Sequence, residues 1–132
     1  MHVLETESAP RYQRPEGITS YLLASRRTCG ASYLTTTLVE VEPGGSQRTH
    51  HHAPEQVYFI VTGSGQMSVA DEVRTVEAGD CVFVPSGVAH GITNNGQHVL
   101  RYFSAAAPAF GADELTAIWP LASEREERGA IR

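Results

Sequence analysis

Residues 44–58 read Gly44-Gly45-Ser46-Gln47-Arg48-Thr49-His50-His51-His52-Ala53-Pro54-Glu55-Gln56-Val57-Tyr58, placing three imidazoles and a carboxamide within seven residues. If this stretch is extended, alternate side chains share a face, so His50 and His52 point one way and His51 the other. Two neutral imidazoles on one face are half a metal site. After the kink expected at Pro54, Gln56 and Tyr58 recur with the same period. A histidine triplet can equally well be a solvated loop. Deciding between the two requires a further ligand from elsewhere, and His90 is the candidate.

His90 lies in a second segment, Gly79-Asp80-Cys81-Val82-Phe83-Val84-Pro85-Ser86-Gly87-Val88-Ala89-His90-Gly91-Ile92-Thr93-Asn94, a strand pattern broken by a Pro-x-Gly turn and resumed at the histidine. Together the two segments resemble the two motifs of the cupin family. The first runs Gly44, five residues, His50-x-His52, three residues, Gln56, six residues, Gly63. The second runs Gly79, five residues, Pro85-x-Gly87, two residues, His90, three residues, Asn94. One position departs from the pattern: where the family usually carries Glu, this chain has Gln56. Glu55 sits one residue too early, on the opposite face. The resemblance implies an all-β cupin double-stranded β-helix, a jelly-roll barrel. It also implies that His50, His52, Gln56 and His90 converge on one divalent transition metal ion per chain.

Length and composition bound the alternatives. At 132 residues and 41% hydrophobic, the chain can bury one proper core. No apolar run approaches the roughly 18 residues that a membrane span needs, and no charged-then-apolar leader opens the sequence. A soluble, cytoplasmic protein is expected, with no membrane partner. A net charge of −5, with Arg26-Arg27 as the only basic doublet and too little for a phosphate-tracking patch, argues against nucleic acid as a partner. Cys29 and Cys81 are too few for a disulfide framework, and Cys81 reads as a small packed hydrophobe.

A single domain over 1–132 is expected: an N-terminal arm or edge strand at 1–16, a barrel at 17–107, and a helix and tail at 108–132. β-branched and aromatic runs predict strands at 18–23, 32–41, 56–61, 66–69, 73–76, 81–84, 91–93 and 99–104. Thr28-Cys29-Gly30 reads as a turn, Gly63-Ser64-Gly65 as a hairpin, and Asn94-Asn95-Gly96 as the last tight turn. Asp113 is positioned to cap a short helix with Leu115, Ile118 and Trp119 on one stripe, plugging one end of the barrel. The charged stretch 123–128 is expected to fray.

Imidazoles suit Zn, Fe, Ni, Cu or Mn(II), and an amide oxygen accepts any of them. Three His and one Gln leave the ion its full +2 charge, which favours Lewis-acid work on a small oxygenated substrate by an isomerase, cyclase or lyase. The alternatives are an Fe(II) dioxygenase and a small-molecule-binding module without turnover. Tyr58, on the ligand face, is a candidate proton donor, against the reading of an interior tyrosine satisfied by a neighbour. Tyr33, Tyr102 and His98 are weaker candidates. Pro85 and Gly87 shape the turn that presents His90. Val57, Phe59 and Val61 face away from the ligands, and covering them predicts a homodimer.

Overall fold

Alternation of buried and exposed side chains sets the architecture over residues 1–120, the part that the computed structural model describes. The strands are β1 (Arg11–Arg14), β2 (Ile18–Leu22), β3 (Thr35–Val41), β4 (Ser46–His50), β5 (Glu55–Thr62), β6 (Ser64–Val69), β7 (Glu72–Glu77), β8 (Cys81–Val84), β9 (His90–Thr93) and β10 (Leu100–Ala107). Two short helices, α1 (Arg26–Cys29) and α2 (Ala112–Ile118), flank them. The strands form two antiparallel sheets, ordered β1-β2-β3-β10-β5-β8 and β4-β9-β6-β7, in the jelly-roll arrangement. The charged stretch 123–128 lies outside the described residues. No described helix is long and apolar enough to cross a membrane.

Inward-facing positions change chemistry along the strands. On β3 they are Thr35 and Thr37, then Val39 and Val41; on β10, Leu100 and Tyr102, then Ser104 and Ala106; on β5, Gln56, Tyr58 and Ile60. Antiparallel register places Ser104 opposite both Thr37 and Tyr58, and Ala106 opposite Gln56. One apolar cluster, including Ile18, Val41, Ile60, Met67, Ile92 and Leu100, fills the barrel. A second, formed by Leu22, Ala106, Phe110, Leu115 and Trp119, seals one end under α2. Between them the interior is polar, and there the histidines enter.

Several expectations are corrected. Cys81 is exposed rather than packed, because Val82 and Val84 take the inward positions of β8 and alternation turns Cys81 and Phe83 outward. Residues 32–34 are exposed and precede β3 rather than belonging to it. The turn expected at 28–30 is the end of α1: Ser25 caps it by accepting from the Thr28 amide at 3.1 Å, and Gly30 closes it at φ 70°. Asp113 does not cap α2; Gly111 does, its amide donating to the Glu114 carboxylate at 3.1 Å. Within 1–16, β1 pairs with β2 as an edge strand, with Arg14 opposite Ile18.

Candidate metal centre

His50 and His90 face each other across β4 and β9, although simple pairing would not align them. From Gln47 to His50 is three residues, while their partners Ile92 and His90 are two apart, so β4 carries one extra residue. The slip brings His50 opposite His90. Close approach of the two strands there depends on Gly91, where a Cβ would lie 2.9 Å from the Gln47 carbonyl and 3.1 Å from the Thr49 amide. His52 follows β4, held by its carbonyl, which accepts from the Gly87 amide at 2.9 Å. Ser86 also donates to the Ala53 carbonyl, so the Pro-x-Gly turn ties down both histidine segments.

The three rings converge, with centroids 4.3 Å apart for His50 and His90, 4.9 Å for His52 and His90, and 5.6 Å for His50 and His52. Their potential ligand atoms lie within 4.8 Å of one another. Each Nδ1 sits against a backbone carbonyl: His50 on Arg48 at 2.8 Å, His52 on Pro54 at 2.8 Å and His90 on Val88 at 2.9 Å. A carbonyl only accepts, so each Nδ1 carries the proton and each Nε2 keeps its lone pair. This is the orientation that metal-ligating histidines adopt. Burial lowers the pKa of His50 and takes that of His90 down to about 4, which keeps both rings neutral. The His90 Nε2 is buried and has no hydrogen-bond partner among the described residues.

Gln56 is oriented by a chain of hydroxyls. Its Nε2 donates to Ser104 Oγ at 3.0 Å, and Ser104 meets Thr37 Oγ1 at 2.6 Å. Its Oε1 thereby lies 2.9 Å from His52 Nε2. With the His52 proton on Nδ1, that contact sets one lone pair against another, which a shared cation relieves. Both atoms are close enough to be held by one ion, which would join Gln56 to the three histidines as a donor. The donor set fits a borderline transition metal.

His50, His52 and Gln56 open onto a cavity of about 380 Å³, also lined by Arg14, Tyr58, Tyr102, Phe110 and Trp119, with His90 fully buried behind it. Tyr58 lines it, edge-on to His90 at 5.9 Å between centroids and stacked on Tyr102 at 4.5 Å. Burial raises the Tyr58 pKa far above its ordinary value, with Tyr102 and the Arg14 charge only partly opposing, so its hydroxyl is a donor and not a base. Tyr102 joins the pocket; Tyr33 and His98 are exposed and do not. His51 points outward and Glu55 is exposed opposite Gln56. Arg14, Thr37 and Ser104 went unseen in the sequence, since only cross-strand register brings them to the histidines.

The family model for the cupin domain matches residues 37–105. An uncharacterized protein of Streptomyces coelicolor is 35% identical over 57 residues, covering 43% of this chain and 54% of that protein. The chain spans about half the length of the curated relatives it matches first. Among solved structures, KdgF from Halomonas sp. superposes with a TM-score of 0.74 at 18% identity, over 87% of this chain and 99% of that one. The polyketide cyclase RemF from Streptomyces resistomycificus gives 0.70 at 24% identity, over 81% and 79%. Likeness at these identities is of fold.

Proposed function

The chain belongs to the cupin family, and on that premise we propose that it is a metal-dependent enzyme of isomerase, cyclase or lyase type acting on a small oxygenated substrate. The observation that carries this reading is the convergence of three Nε2 lone pairs, one of them orphaned in a buried site, beside an amide oxygen. His50, His52, Gln56 and His90 would hold one divalent ion, drawn from Zn, Fe, Ni, Mn or Cu. Bound there, the ion would supply Lewis acidity to a substrate oxygen. Gln56 adds no charge to the donor set, which leaves that acidity undiminished and disfavours oxidation. Tyr58 donates a hydrogen bond or proton to the substrate from the cavity wall, while Phe110 and Trp119 exclude water. A polyketide cyclase is among the proteins that share this fold.

The same proposal treats residues 1–132 as one unit that works as a cytoplasmic homodimer. An exposed Cys81 thiol suits a reducing compartment. On the outer face, Phe103, Phe59 and Cys81 align across β10, β5 and β8, with Ala105, Val57 and Phe83 in the next row. Elemental analysis of the purified protein tests the central claim. One equivalent of metal is expected, lost in the His52→Ala, His90→Ala double variant and released on acidification, because imidazoles ligate only when neutral. Full metal in the double variant would remove the assignment. Oxygen uptake with candidate substrates would instead favour the dioxygenase.

A further inference from the structure

The net charge of the chain is −5, with fifteen acidic residues, yet no Asp or Glu is among the described residues lining the histidine cavity. Its charged lining groups are Arg14 and Arg48. Arg48 is already paired, 3.1 Å from Glu16, with its side chain 80% exposed. Other arginines are likewise engaged: Arg101 with Glu40 at 3.1 Å and Arg27 with the Trp119 carbonyl at 2.8 Å. Arg14 differs. Alternation along β1 turns Arg11 and Gln13 outward and Tyr12 and Arg14 inward. Arg14 is a half-buried residue at the cavity wall, and its guanidinium has no ion pair and no side-chain hydrogen bond among the described residues. Arg26 and Arg74, which also lack a described partner, are exposed and solvated.

A half-buried cation without a counter-ion is a cost that an anionic ligand removes. We propose that Arg14 binds the carboxylate of the substrate, making the substrate a small organic acid whose second oxygen reaches the histidines. The inference rests on the cavity being the substrate site of the proposed enzyme. Position supports it: Arg14 lines the same cavity as His50, Tyr58 and Tyr102. One free guanidinium matches a carboxylate, whose two oxygens accept its paired N–H groups. A dianionic phosphate would need more donors, and the chain contains no lysine. The apolar side of the cavity, formed by Phe110, Ile118 and Trp119, suits the carbon skeleton of such an acid.

Calorimetric titration of the metal-loaded protein with pyruvate and with pyruvamide, its neutral counterpart, tests the assignment. Pyruvate should bind about 10- to 100-fold more tightly, the range for a hydrogen-bonded charge pair. Arg14→Gln should abolish the preference by weakening pyruvate alone, with metal content and melting temperature unchanged, and Arg14→Lys should keep part of it. Should Arg14→Gln not fold, the wild-type preference must still shrink in 0.5 M salt. Equal affinities in the wild type, or an undiminished preference in Arg14→Gln or in salt, would overturn the proposal. Metal-free protein separates the two readings, since Arg14-dependent preference for pyruvate should survive there even if the metal assignment fails. Bound metal without any acid preference would refute the role of Arg14 alone.

Discussion

Gln56 is the residue at which this chain leaves its family's pattern, and its surroundings show why the exchange is tolerated. Its amide is held by Ser104, and the Ser104–Thr37 hydroxyl pair can reverse its hydrogen-bond direction. Gln56→Glu should therefore keep the fold, with Ser104 donating to the new carboxylate. Affinity for a divalent ion should rise about tenfold or more, through a Coulomb attraction that an amide lacks. Turnover should fall on the order of tenfold if the reaction depends on Lewis acidity, because the added negative charge weakens the field on the substrate. Competition titration against a chelator reads the first effect and initial rates the second. Unchanged metal affinity would show that position 56 does not ligate.

At the scale of elements, the centre depends on how closely β4 and β9 approach. The register slip between Gln47 and His50 puts the two facing histidines opposite each other, and Gly91 makes room for it. Gly91→Ala should push β4 away, because the new methyl meets backbone atoms that cannot rotate aside. The expected cost is about 1–3 kcal/mol of stability, with metal affinity down about 10- to 100-fold as ligand orientation is lost. Urea unfolding and metal titration check the two separately. Stability and affinity both at wild-type values would mean that the strands do not need this approach. Asn94, the last residue of the second motif, has a different duty at the far end of β9. Fully buried, it donates to the Val41 and His98 carbonyls at 2.9 and 2.8 Å and accepts from the Gly96 amide at 3.0 Å, fastening the turn that leads into β10.

For the whole molecule, the outstanding surface is the outer face of β10, β5 and β8, where Phe59 is 44% and Phe83 54% exposed. An apolar row of that kind across three strands favours a partner. Phe59→Asp should convert a dimer to a particle near 14.3 kDa, since burying its charge would cost several kcal/mol. Sedimentation at micromolar concentration measures this, and a wild-type protein already monomeric there would end the dimer proposal.

The family, the alternation and the four converging positions were legible in the sequence because they are local. Strand periodicity decides which side chains share a face, and His50, His52 and Gln56 lie within seven residues. His90 was legible through its own spacing from Pro85 and Gly87. Helix caps and strand ends were less so: Gly111 in place of Asp113, and the outward Cys81, turned on which neighbour took the competing position. Pairing between strands distant in sequence decided the rest. Ser104 and Thr37 orient Gln56 from 48 and 19 residues away, and Arg14 reaches the cavity from an edge strand that local pattern could not join to any sheet. No period in the chain encodes those contacts, because a strand presents a face but only its hydrogen-bonded partners determine what that face meets.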